Sequence, residues 1–173
     1  MEQFETIGRS HHQHWETYIS SSTGDSVLTC VKHVLDTIFA VGSYSGSSSD
    51  KISTELLDTV TLKWSVKSPY PYASQIRGVR SLYYQGRFFT FGGYTNNGCS
   101  NRIDAFDPSQ NGWFSVGQMK SKRHHTSVIE SNDEFLIVGA YWIDGEKNSE
   151  KCTFQENGLV CEYQLPIWND IQG

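Results

Sequence analysis

Trp15, Trp64 and Trp113 stand 49 residues apart, and each is followed within thirty residues by an apolar run ending in glycine. The runs are Ile38-Phe39-Ala40-Val41-Gly42, Phe88-Phe89-Thr90-Phe91-Gly92-Gly93 and Phe135-Leu136-Ile137-Val138-Gly139. Self-similarity at a fixed period means stacked copies of one unit, none of which buries its apolar faces alone. The runs are short and bounded by turn residues, which makes the unit a set of strands. Aromatic residues at 13%, together with 15 glycines, suit flat pleated faces joined by tight turns. The chain is read as all-β.

The second repeat serves as the template. Gly78 to Tyr84 is expected as the inner strand, Gln85-Gly86 as a turn and Arg87 to Phe91 as the second strand. Tyr94 to Ser100 follows as a polar loop, Arg102 to Phe106 as the third strand, Asp107 to Gly112 as a turn, and Trp113 to Val116 as the outer strand. The first repeat gives Val27 to Val31, Thr37 to Val41, a Ser/Gly-rich loop at Ser43 to Ser49, Leu56 to Thr59, and Trp64 to Val66. The third gives His125 to Ile129, Asn132-Asp133 as a turn, Glu134 to Val138, Glu150 to Phe154, and Leu159 to Tyr163. Trp113 lies 21 residues after Gly92, whereas the residue 21 after Gly139 is Val160, so the third repeat lacks its tryptophan. Cys152 and Cys161 flank the turn Asn157-Gly158 and are placed either to form a disulfide or to stay reduced in the core.

In this order and spacing the residues resemble kelch repeats. The second repeat carries the resemblance best, with Gly92-Gly93, Tyr94, Phe106-Asp107-Pro108, Trp113 and Met119, and with Arg123-His124-His125 opening the next unit. The first and third repeats depart from the pattern at Gly42-Ser43 and Gly139-Ala140, and Leu57-Asp58 lacks an aromatic before the acid. The resemblance implies a β-propeller of four-stranded blades, about 27–66, 78–116 and 125–163, preceded by a polar lead at 1–14. Residues 15–19 form an extra outer strand of a preceding blade, and 164–173 a connector or tail. Three blades fall short of the roughly 4 to 8 that close a ring, so the propeller is expected to be incomplete, with open edges suited to self-association. Kelch propellers mostly bind proteins through loops at the channel mouth, which implies a non-catalytic binding or scaffold segment with one or more protein partners. The alternatives are a fragment of a secreted kelch protein, or of an enzyme similar to galactose oxidase.

The net charge of −5, without a long run of Lys or Arg, argues against a nucleic-acid partner. Neither a basic and apolar leader nor an apolar stretch of spanning length is present, so the sequence as written reads as cytoplasmic with no membrane contact. A Cys152–Cys161 bridge would instead argue for an extracellular protein. His11-His12-Gln13-His14 invites a metal but lacks a second cluster at ligand spacing, and no metal or other cofactor is expected. His124-His125 is read as structural. Cys30 is expected as a buried thiol and Cys99 as an exposed one. No nucleophile elbow, zinc helix or phosphate loop occurs, so catalysis is not expected. Arg77 and Arg123 are taken to enter their blades at the same point, where they either hold an acidic peptide or pair internally with a carboxylate such as Asp58 or Asp107. Gly42, Gly92, Gly93 and Gly139, with Trp15, Trp64 and Trp113, are the structural repeat positions.

Overall fold

The structure is a computed structural model that describes residues 30–42, 52–73, 75–140, 142–144 and 149–164. Trp15 and the strand expected at 15–19, the histidines at 11, 12 and 14, the loop at 43–49 and the tail from 165 onward lie outside the described residues.

Short amphipathic runs separated by tight turns give antiparallel meanders. The first blade is β1 (Cys30–Val34), β2 (Thr37–Val41), β3 (Thr54–Asp58) and β4 (Lys63–Lys67), hydrogen-bonded in that order. A short β5 (Ile76–Arg77) leads into the second blade: β6 (Arg80–Tyr84), β7 (Arg87–Phe91), β10 (Arg102–Asp107) and β11 (Gly112–Gln118). Between β7 and β10 the chain forms a small hairpin, β8 (Tyr94–Thr95) and β9 (Gly98–Cys99), and β8 also pairs with β5. This segment is therefore a three-stranded ribbon where a polar loop was expected. Its turn is Asn96-Asn97, with Thr95 Oγ1 accepting from the Asn97 N–H at 3.1 Å. The third blade is β13 (Ser127–Ser131), β14 (Glu134–Val138), β16 (Glu150–Gln155) and β17 (Gly158–Tyr163), introduced by β12 (Lys122–His124), which pairs with β15 (Trp142–Asp144).

Two inner strands begin later than the residue pattern implied. β6 starts at Arg80 rather than Gly78, because Gly78 takes a left-handed conformation, φ 60°. β13 starts at Ser127 rather than His125 because His125 takes a left-handed conformation, φ 51°, that breaks the strand. β1, described from Cys30, runs on to Val34 rather than ending at Val31, which leaves Leu35-Asp36 as the turn; the expected strand residues Val27 to Thr29 lie outside the described residues.

The second and third blades share one eight-stranded sheet. Their outer strands β11 and β17 run parallel and pair at Gly117↔Leu159 and Gln118↔Val160. A side chain at residue 117 would overlap the Leu159 carbonyl oxygen, so glycine there permits the join.

Packing follows from strand alternation. On β7, Phe88 points back to the first blade while Phe89 and Phe91 point forward to the third. On β10, Phe106 points back while Ile103 and Ala105 point forward. The cluster between blades one and two joins Phe39, Val41, Ile52, Tyr70, Phe88 and Phe106, with Phe39 and Phe88 stacked 4.4 Å apart. The cluster between blades two and three is centred on Phe89, Phe91 and Phe135.

Trp113 lies against the first cluster, edge-on to Tyr70 at 5.0 Å, and its indole N–H is shared by Thr54 Oγ1 and the Ser68 carbonyl, each at 3.1 Å. In strand register Trp113 stands opposite Phe106, and Trp64 opposite Leu57. The third-blade counterpart of this pair is Cys152↔Cys161, so Cys161 rather than Val160 holds the tryptophan position. Simple counting misplaces it by one because the β16–β17 hairpin is built differently. The two cysteines are disulfide-bonded and buried at the interface with blade two.

Three outcomes test this packing. Trp113→Ala should cost about 3 kcal/mol or more, as for other buried aromatic truncations, read as a lower urea midpoint. The double change Cys152→Ala with Cys161→Ala should cost about 2–4 kcal/mol, the usual worth of closing a loop of this kind. Thiol titration of the denatured, unreduced protein should find two groups fewer than after reduction.

Candidate protein-binding surface

Each blade has a turn end, where its hairpins close, and a loop end, where β8, β9, β15 and the connectors between blades gather. Arg77, Arg123, His124 and His125 lie at the loop end.

Gly78 and His125 are equivalent positions: both have positive φ, 60° and 51°, and the His125 N–H donates to the Gly78 carbonyl at 2.7 Å. This correspondence sets Arg77 level with His124, and Ile76 level with Arg123. Arg77 and Arg123 therefore do not enter their blades at the same point, and their environments differ accordingly. Arg123 is fully buried, whereas Arg77 is exposed.

Arg123 belongs to the latch that fixes the connector between blades two and three. Its Nη2 donates to Glu150 Oε1 at 2.5 Å, and the same carboxylate accepts the Lys120 and Ser121 N–H groups at 2.6 and 3.0 Å. The Arg123 carbonyl accepts the Gly93 N–H at 2.9 Å, and a Cβ on Gly92 would overlap that carbonyl oxygen. The double glycine lets the connector pass this closely.

Asp104 does comparable work one blade earlier. It accepts the Tyr70 hydroxyl at 2.6 Å and both Arg102 Nη2 and Nε, at 2.6 and 3.1 Å. Burial, and then the Asp104 charge, push the Tyr70 hydroxyl well above the ordinary phenol range. Glu55, Asp104 and Glu150 share one place in the repeat, each opposite the residue two before the strand-ending glycine, and all three are buried. These carboxylates were not singled out in the sequence. Their spacing, 49 and then 46 residues, is the signal that could have found them.

Asp58 and Asp107 are not the internal partners of Arg77 and Arg123. Asp58 accepts the Val60 and Thr61 N–H groups, and Asp107 accepts the Ser109 N–H, so each closes its β3–β4-type turn. The bond from Thr61 lowers the Asp58 pKa most, and the Ser109 hydroxyl that of Asp107. Arg87 adds an ion pair to Asp107 at 3.1 Å.

The exposed part of the loop end is organised around Tyr94, whose relative exposure is 39%. The Arg77 guanidinium lies 4.8 Å over its ring, the His124 ring meets it edge-on at 5.7 Å, and His125 meets His124 at 5.0 Å. Burial lowers the His124 pKa, and His125 and Arg77 lower it further. Arg77 is the fixed cation of this cluster, on a chain of net charge −5. Short backbone ladders hold the cluster in place: Arg77↔Tyr94, Tyr94↔Cys99 and His124↔Trp142. Cys99 keeps its thiol and is half-buried rather than exposed. Among the described residues no group of His, Cys, Asp and Glu is placed to hold a metal ion.

Because the folded pKa of His124 lies below that of the unfolded chain, the unfolded state binds more protons as pH falls through the window below about 6.5. Stability should therefore decline on acidification from pH 7 to 5. His124→Gln should flatten that part of the profile in urea titrations run across the range.

Comparison with known proteins agrees with this architecture. Residues 77–120 match the family described as Kelch motif, a span that runs from Arg77 through the second blade to Lys120. The chain is similar to a solved structure titled "Structure of YjhT", with a TM-score of 0.56 and 16% sequence identity. The likeness covers 72% of this chain and 37% of that one, so the chain spans little more than a third of that protein. At this identity the likeness speaks for the fold. No curated protein matches the sequence.

Proposed function

We propose that this chain, a segment of a kelch-type β-propeller, is a non-catalytic protein-binding module whose loop end takes acidic segments of a partner. One observation carries the reading: Arg77 and His124 converge on the half-exposed Tyr94, with His125 against His124, on short ladders that fix their positions before a ligand arrives. A preorganised cation beside an aromatic face is suited to a carboxylate followed by an apolar residue, because the guanidinium forks onto the acid while the ring packs its neighbour. Arg123 serves this surface indirectly by anchoring the connector that bears His124 and His125.

The module is further assigned to an oxidising compartment. The Cys152–Cys161 bridge supports this, since such bonds persist outside the reducing cytosol.

Fluorescence anisotropy with matched peptide sets, one rich in Asp and Glu and one rich in Lys, tests the binding reading. Acidic peptides should bind in a salt-sensitive way, and Arg77→Ala and Tyr94→Ala should each weaken them about tenfold, corresponding to ~1.4 kcal/mol. Equal binding of the two sets, or indifference to both substitutions, would overturn it.

A further inference from the structure

The turn end of the first blade differs from the other two in a way that the fold does not require. At the β1–β2-type hairpin, the left-handed position is occupied by Gln85 (φ 47°) in blade two and Asn132 (φ 54°) in blade three, but by Leu35 (φ 51°) in blade one. At the β3–β4-type turn, Asn111 (φ 48°) of blade two corresponds to Leu62 (φ 54°) of blade one. That turn has the same construction in both blades, an aspartate accepting backbone N–H groups, yet it carries Ser109 in one and Val60 in the other. Leucine is poorly suited to the left-handed region, where asparagine is enriched. The three apolar residues are also left in water: Leu35 is 83% exposed, Val60 72% and Leu62 59%.

These residues form one surface. The Thr59 N–H donates to the Asp36 carbonyl at 2.8 Å and ties the two turns together. Beside them, between blades one and two, lies a mainly apolar notch of about 160 Å³ lined by Val34, Leu35, Leu56, Tyr83, Phe88 and Pro108, with Thr37 as its polar member. Its size suits one aliphatic or aromatic side chain. Asp36 and Asp58, both exposed, belong to the same two turns, and the turn N–H groups hold Asp58 ionised.

We propose that the turn end of the first blade is a second docking site, which takes a peptide segment with one aliphatic or aromatic anchor next to Lys or Arg. The anchor fills the notch, Leu35, Val60 and Leu62 cover its flanks, and the basic residue meets Asp36 and Asp58. Residues that oppose both local backbone preference and hydration are retained where a partner covers them. The two carboxylates favour a basic peptide over a lipid surface or a second copy of this acidic chain. The site lies at the opposite end of the blades from Tyr94 and is independent of the loop-end reading.

Selection of a phage library of short random peptides on the full chain tests the proposal. The triple variant Leu35→Asn, Val60→Ser, Leu62→Asn restores residue types that the other blades use at these positions, and should melt at or above the wild-type temperature. Selected peptides should combine an apolar anchor with Lys or Arg and bind this variant at least tenfold more weakly. Asp36→Lys, which keeps the apolar surface, should weaken them severalfold as well. Acidic peptides directed at Tyr94 should bind both variants as they bind wild type. Equal binding of the selected peptides to wild type and both variants, or a selected set without the anchor and base pattern, would overturn the proposal. It is also overturned if the triple variant abolishes binding to phosphatidylcholine vesicles, or a dimer seen by light scattering, since the occupant is then a lipid surface or a second copy.

Discussion

Burial of both faces of every blade is the constraint on which the rest depends. A four-stranded meander of this length has two apolar sides and cannot shield either by itself. The second blade shows the solution within single strands: Phe88 and Phe106 serve the cluster behind it, while Phe89, Phe91, Ile103 and Ala105 serve the cluster ahead. At roughly 1.5–3 kcal/mol for each large apolar side chain removed from water, these two interfaces outweigh any hydrogen bond in the molecule. The polar latches act on a different problem. Asp104 and Glu150 do not supply the attraction between blades; they fix where each connector crosses, and hence the angle and height at which the next blade begins. A buried ion pair such as Arg123 with Glu150 is weak evidence for stability, but it gives position when the carboxylate also accepts two backbone N–H groups.

The third blade meets the same constraint by other means. Where Phe106 and Trp113 face each other across two strands, Cys152 and Cys161 are bonded. The exchange removes two large apolar side chains from that position, and a covalent link there holds the hairpin together. Gly117 then allows the outer strands of blades two and three to pair directly, so the last two blades are joined by backbone as well as by packing. The first blade has no such join to the second among the described residues; its contact rests on Phe39, Phe88 and the Trp113 indole.

Much of this was legible in the sequence, because period, alternation and turn chemistry are local properties. The strands 87–91 and 134–138 appear where the residue pattern puts them, and the all-β, kelch-type organisation follows from the tryptophan and glycine spacing. Properties that depend on three-dimensional register were not legible. Arg77 and Arg123 look equivalent when arginines are aligned, but the left-handed residues Gly78 and His125 define the true correspondence, one residue away. Asp58 and Asp107 are the conspicuous acids of the motif, and they are consumed by their own turns. The acids that hold connectors sit inside strands, where alternation alone would class them as solvated.

Leu35 illustrates why such failures are informative. The residue pattern ends the first inner strand at Val31, whereas β1 runs on to Val34; a leucine followed by an aspartate carries no glycine or asparagine signal of the turn that follows. The turn forms there because β1 and β2 pair in register and leave two residues between them, and tertiary pairing overrides local preference. In the two other blades Gln85 and Asn132 take the same positive φ with polar side chains, although Gly86 and Asp133 after them are left-handed too and Asp36 is not. The fold therefore fixes the backbone at this position while leaving the side chain open to another requirement. A position where the chain's own repeats carry different residue types at a shared positive φ is a sharper guide to function than any single exposed residue, because the repeat itself imposes that backbone feature.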